Sequence, residues 1–274
     1  MSVTITAADI NKLRQTTGAG MLDCRKALTE SNGDFEAAID WLRKQGQKVA
    51  AKRSDREAKE GVVIAQTTAD NKSGIVLCIS CETDFVSKNA DFVAFAQSIA
   101  DAAIANNVKT AEELNGVAVN GSTVAELIND KLAAIGEKIA VSKFERVEAP
   151  YVASYIHGAN RMGVLVSMTK EAADAGKDVA MQIAAMNPLA VDETSISPET
   201  IAREKEIAIE QIKAEGKPAE MAEKIALGKV NKFFKENTLM AQAFVKDNSK
   251  SVADYLKSID AELKVTDFKR VALG

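Results

Sequence analysis

Cys78 and Cys81 form a C-x-x-C pair in a chain that holds only three cysteines and one histidine. Such a pair serves either as a redox couple or as half of a zinc site. Redox pairs open a helix, which brings the sulfurs together and acidifies one thiol. Here the pair lies inside the β-rich run GIVLCISCETD, where residues three apart point to opposite faces. A zinc site needs two more ligands, and only Cys24 and His157 remain, each isolated in sequence. Packing of two small side chains is therefore the favoured reading, with a thiol enzyme kept as a rival class. His157 is also the only imidazole available to a hydrolytic triad, and no nucleophile elbow accompanies it. GAGMLD carries two glycines of a dinucleotide fingerprint but follows a helix and lacks the third, and no G-x-x-x-x-G-K-[ST] occurs. Carboxylate pairs such as Asp23 and Glu30 lie on helix faces that charge alone would populate. With no constellation for breaking bonds, the chain points to binding, and neither a cofactor nor a bound metal is expected.

The stretch CETDFVSKN, Cys81 to Asn89, holds the residue that binding would use. Phe85 is a large aromatic ring among polar neighbours, placed where the buried strand SGIVLCIS hands over to the amphipathic helix ADFVAFAQSIADAAIA. Side chains at such a junction reach outward. The alternative is that Phe85 packs under its own loop.

The elements that must position these residues follow from composition and periodicity. A chain of 274 residues, 46% hydrophobic and 27% charged, can bury a sizeable core and suggests two domains more readily than one. Its longest apolar runs fall short of the roughly 18 residues of a spanning helix, and MSVTITAADINKLR has charge where a signal peptide needs an apolar centre. The cytoplasm is the expected compartment and no membrane is implicated, so the sequons at Asn71 and Asn120 carry no weight. A net charge of −4 removes the broad basic face that drives non-specific nucleic-acid binding.

Residues 1–46 read as three helices around one small core. Thr6 with Asp9 makes a capping-box start, Gly18 to Gly20 interrupt, and Gly33 separates the second helix from the third, DFEAAIDWLRKQ. Ile10, Leu13, Cys24, Ala27, Leu28, Ala38, Ile39 and Leu42 fall at helical spacing and can share that core. Residues 47–60 carry charge of both signs and suit a solvated linker or an exposed helix. An internal duplication follows. GVVIAQTTADNKSGIVLCIS and PYVASYIHGANRMGVLVSMT each read as a hairpin, the first followed by a helix from Ala90 and the second by one from Asp178. This gives an α+β class with two related β-β-α halves, 61–148 and 149–274. Thr110 with Glu113 and Thr123 with Glu126 mark further helix starts, and KIAVSKFERVE reads as a strand. Ser197 and Pro198 open a helical hairpin, about 198–228, that turns at Gly216 to Pro218. Its apolar stripe, through Ile201, Ala208 and Ile212, is narrow enough that the hairpin should project into solvent as a coiled coil. A C-terminal module, about 229–274, ends in a helix and a strand able to rejoin the core sheet.

TTGAGMLDCRKALTESNGDFEAAIDWLRKQG, CETDFVSKN, HGANRMGVLV and GKPAEMAEKIALGKVNKFFKEN occur in the order and at the separations that make the chain resemble the bacterial elongation factor Ts family over nearly its whole length. The first segment also resembles a ubiquitin-associated three-helix domain. The resemblance implies a guanine-nucleotide exchange factor with no covalent chemistry of its own. Its implied partner is elongation factor Tu, in GDP-bound and nucleotide-free forms. It also implies that the block Thr83, Asp84, Phe85 and Val86 intrudes beside the partner's magnesium and phosphate site. His157 and Gly158, at the second hairpin turn, would press on the partner's phosphate-binding side. Arg14, Met21 and Leu22, around the G-A-G-M turn, would contact its nucleotide-binding domain. Met21 and Leu22 are also ordinary core formers, and a turn histidine is ordinarily just solvated. The rival binding class is a ubiquitin-type adaptor without exchange activity.

Overall fold

The computed structural model describes residues 4–52, 55–215 and 219–274. α1 (Ala7–Thr17) opens on the expected capping box. The Thr6 hydroxyl accepts the Asp9 N–H at 3.2 Å, and the Thr6 N–H donates to the Asp9 carboxylate at 3.0 Å. α2 (Met21–Glu30) and α3 (Phe35–Lys52) follow, and the three helices enclose Leu13, Cys24, Ala27, Leu28, Ala38 and Leu42, with Ile10 and Ile39 partly buried at the rim. α3 runs on past Gln45 to Lys52, so of the two readings of 47–60, linker or helix, the helix holds as far as Lys52. Gly46 is a packing residue: a Cβ there would lie 2.7 Å from Ala133 Cβ, and only its absence lets α3 lie against a later helix. Arg53 and Ser54, in the expected linker, lie outside the described residues.

The first half begins with the hairpin β1 (Glu60–Thr67) and β2 (Ser73–Cys81). After α4 (Asp84–Ser87) come α5 (Ala90–Ala105), α6 (Ala111–Asn115), the two-residue strands β3 (Ala118–Val119) and β4 (Ser122–Thr123), and α7 (Val124–Ile135). Thr110 caps α6 and Thr123 closes a capping box with Glu126 on α7, at the two starts expected. β5 (Ala140–Glu148) then returns antiparallel to β2, giving the order β1-β2-β5.

The second half repeats this plan. β6 (Tyr151–His157) pairs with β7 (Met162–Met168), and α8 (Ala173–Met186) starts earlier than the expected Asp178. Past a short 3-10 turn at Glu193–Ser195 lie α9 (Pro198–Ala214) and α10 (Ala219–Asn237), which share Ala208, Ile212 and Ala226 as a small core of their own. The turn expected at Gly216 to Pro218 lies outside the described residues. β8 (Ala243–Phe244) and β9 (Asp247–Ser251) precede α11 (Val252–Ile259), and β10 (Val265–Ala272) pairs with β7, so the final strand does rejoin the sheet.

The two three-stranded sheets stack face to face. Val63, Ala65, Val76 and Cys78 of the first meet Val152, Leu165 and Val271 of the second. The outer face of the first sheet carries Ile64, Leu77, Ile79 and Cys81 under Phe92, Ala96 and Ile99 of α5. The outer face of the second carries Val164, Val166 and Met168 under Val179 and Ile183 of α8 and Leu256 of α11. β2, covered on both faces, is buried from end to end. Cys78 and Cys81 accordingly point into different layers, and both thiols are free. No helix among the described residues is long and apolar enough to cross a membrane.

Candidate functional site

β2 ends at Cys81, and the chain turns through Glu82 and Thr83 into the single helical turn of α4. Successive residues of a helix point about 100° apart. Val86 faces inward and packs on the first half's core, which leaves Phe85 facing out with 86% of its surface exposed. Phe85 therefore does not pack under its own loop. Beside it, Lys88 Nζ lies 2.7 Å from Asp84 Oδ2. This hydrogen bond, then the lysine charge, hold the Asp84 carboxyl below the usual carboxylate range. Thr83 is the residue before the helix, and its hydroxyl is bonded to Glu137 at 2.7 Å.

Phe85 and Val86 also form one wall of an open cleft of about 660 Å³. Thr16 to Ala19, the turn between α1 and α2, line it too, with Ile39, Leu42 and Arg43 of α3, Phe92 and Phe95 of α5 and Leu127 and Ile135 of α7. The N-terminal helices and the first half are thus two sides of one surface. At that cleft Arg43 pairs with Asp130 at 3.7 Å, and burial pushes the Asp130 carboxyl up more than Arg43 pulls it down. Met21 and Leu22, at the start of α2 beside the cleft, are 49% and 81% exposed, so neither serves the three-helix core. Arg14, in the last turn of α1, is exposed as well.

His157 and Gly158 lie elsewhere, at the β6–β7 turn, both exposed. His157 is steadied by the Tyr155 hydroxyl, 3.0 Å from Nδ1. Three residues in this turn, Gly158, Ala159 and Asn160, have left-handed backbone, which presses the turn onto β1. Val63 N–H donates to the Asn160 carbonyl at 2.8 Å, Asn160 Nδ2 donates back to the Val63 carbonyl at 3.1 Å, and Arg161 pairs with Glu60 at 3.2 Å. Glu60 is the cross-strand neighbour of Cys81, so the His157 turn and the Phe85 turn stand at the same end of the stacked sheets. His157 is not part of the cleft. Ile135 and Glu137, which join this surface, had no visible mark in the sequence: I-G-E reads only as a helix end, and their partners lie far away along the chain.

Burial pushes the Cys78 thiol up, and burial followed by the Glu137 and Glu60 carboxylates pushes Cys81 up to about 12. Neither is a poised nucleophile. Among the described residues no group of three or more His, Cys, Asp or Glu side chains could hold a metal ion.

The profile of the family described as Elongation factor TS matches residues 82–274. The chain belongs to the elongation factor Ts family. Elongation factor Ts of Flavobacterium psychrophilum is 52% identical over 274 residues, covering 99% of both chains. That of Christiangramia forsetii is 50% identical over 273 residues, covering 98% of this chain and 99% of the relative. That of Clostridium perfringens is 44% identical over 282 residues, covering 98% and 93%. Membership of the elongation factor Ts family makes this a translation elongation factor, and the mixed helix and sheet architecture agrees with that family.

Proposed function

We propose that the chain is a guanine-nucleotide exchange factor that binds GDP-loaded elongation factor Tu in the cytoplasm, promotes GDP release and stays bound to the nucleotide-free partner. It does so without covalent chemistry of its own. The observation that carries this reading is the exposed Phe85 ring on a short, anchored turn, with the Asp84 carboxylate beside it. An aromatic wedge can part packed elements of a partner, and a carboxylate next to it can disturb groups that hold a cation. Leu22 and Met21, exposed at the start of α2, supply further apolar surface, with Arg14 in the last turn of α1, and His157 with Gly158 supply a second point of pressure at the same end of the sheets. The chain divides, on this reading, into a partner-binding unit at 1–46, a connecting segment at 47–60, and two core halves at 61–148 and 149–274.

Exchange requires the factor and GDP to oppose each other's binding, and that coupling is reciprocal: excess nucleotide must expel the factor. Taking the partner's site from about 99:1 full to 1:99 requires a differential of about 5.5 kcal/mol. Contacts spread over the cleft, both turns and the N-terminal unit are a suitable source. The deciding experiment is stopped-flow release of a fluorescent GDP from elongation factor Tu at fixed magnesium, with and without the protein. A large acceleration supports exchange; unchanged release with a cognate partner overturns it.

A further inference from the structure

The turn that presents Phe85 is closed by backbone bonds to the Thr83, Asp84 and Val86 carbonyls and by the Lys88–Asp84 pair, but its first residue lacks a cap. α4 is one turn long, and Thr83 makes no capping bond to it. A carboxylate from another part of the chain holds this end. Glu137 Oε2 accepts the Glu82 and Thr83 N–H groups at 3.0 and 3.1 Å, and Oε1 accepts the Thr83 hydroxyl at 2.7 Å. The grip is mutual, because Glu82 Oε1 accepts the Lys138 N–H at 2.7 Å while Glu82 Oε2 pairs with Arg56 at 3.0 Å. Lys138 Nζ in turn donates to the Arg56 carbonyl at 3.0 Å, and the Cys81 thiol donates to the Thr83 carbonyl at 3.3 Å. Glu137 is brought here by Gly136, whose left-handed backbone (φ 77°) ends α7 and turns the chain toward β2.

Two N–H groups and one hydroxyl converging on a single carboxylate fix both the position and the rotation of the peptide units they belong to. Those units lie just before the Thr83–Asp84 peptide that opens α4, so their orientation bears on the direction in which α4 projects Phe85. We propose that Glu137 is a positioning residue for nucleotide exchange, acting through the Glu82–Thr83 turn to aim Phe85. This inference rests on the exchange reading above. It also links Phe85 to Ile135, which lines the same cleft, because Ile135, Gly136 and Glu137 are consecutive.

The test compares wild type, Glu137→Gln, Glu137→Ala, Phe85→Ala and the Glu137→Ala/Phe85→Ala double variant in GDP release from elongation factor Tu. Alongside it, amide hydrogen exchange at Glu82 and Thr83 is measured by NMR on the free chain. Glu137→Ala is expected to lower the maximal release rate at saturating factor about tenfold, as small misplacements of a working group do, with little change in the half-saturating concentration. Glu137→Gln, which keeps one acceptor oxygen, should fall between and guards against a folding defect in the alanine variant. In the Phe85→Ala background the Glu137→Ala change should cost much less, since only Asp84 is left for the turn to aim. The Glu82 and Thr83 amides should exchange faster in both Glu137 variants. Equal losses with and without Phe85, an unaltered maximal rate, or unaltered amide protection would each overturn the positioning role while leaving exchange itself standing. Absence of acceleration by the wild type would instead remove the exchange reading and this inference with it.

Discussion

Phe85 owes its exposure to its neighbour. Val86 is the residue of α4 that the core takes up, and one helical step places the ring on the opposite side. Removing the ring therefore removes no internal packing. Phe85→Ala should slow GDP release from the partner while shifting the protein's own stability by no more than about 0.5 kcal/mol. A destabilised variant, or one with undiminished release, would contradict the wedge. Asp84 offers a second check on the same turn. Its carboxyl is held low by Lys88, so Lys88→Ala should raise its pKa toward the ordinary value, read by NMR titration of the side chain. The sign follows from linkage. A depressed carboxyl contributes stability above its unfolded pKa and loses it as pH falls through the folded one, so the variant should also lose less stability in acid than wild type. Of the residues singled out, Phe85 was the most legible, because a large ring in a polar junction is a local anomaly. Glu137 was invisible, because an acidic residue after a helix-ending glycine is unremarkable until its partners arrive from β2.

At the scale of elements, the capped helix starts were legible, while the uncapped start of α8 and the end of α3 were not. Thr6 with Asp9, Thr110, Thr123 with Glu126 and Ser197 with Pro198 carry their meaning within four residues, since a side-chain oxygen satisfies a backbone N–H that would otherwise lack a partner. Glycine is a poor helix former, yet Gly46 lies within α3 and faces Ala133 of α7. A methyl group there should force α3 and α7 apart. Gly46→Ala is expected to cost about 1–3 kcal/mol from overpacking, set against a gain of about 1 kcal/mol in helix propensity. Chemical denaturation gives the net change, and faster amide exchange in α7 would locate it. Stabilisation by the full propensity gain would show that the contact is not tight.

The whole molecule is a stack of helices, two sheets and helices, and two ionisable groups, buried Cys81 and half-buried Tyr255, give it a predictable weakness. Cys81 is pushed up to about 12 by burial and by the Glu137 and Glu60 carboxylates, and Tyr255 is pushed up to about 12 by burial and by its hydrogen bond to Asp178. In the unfolded chain these groups lose their protons near 9.0 and 10.0 respectively. Above those values the unfolded state binds fewer protons than the folded state, so stability is complete below pH 9.0 and declines as pH rises toward about 12. Urea unfolding on either side of pH 9.0 should show that decline, with a shallower slope in Cys81→Ala; identical slopes would mean that the thiol does not contribute. The duplicated halves were legible as paired hairpins because two-residue alternation and polar turns are local. Each half is completed by a strand arriving after a long excursion: β10 was legible as a strand able to rejoin the sheet, whereas β5 was legible only as a strand with no stated neighbour.

By itself, the sequence determined whatever depends on a few neighbouring residues: the opposed faces of Cys78 and Cys81, the capped helix starts, the hairpins, and a ring at the strand-to-helix junction. Backbone sterics and the periods of strand and helix act at that range, and they leave few choices. The tertiary structure decided the rest. It set which sheet faces meet, where α3 finds α7, that the N-terminal turn and Phe85 share one cleft, and that Glu137 reaches the Glu82–Thr83 amides. Each of these joins residues far apart in the chain, where no local propensity acts. Their pairing is chosen by burial of apolar surface and by the need of buried polar groups for partners, and both are properties of the closed fold.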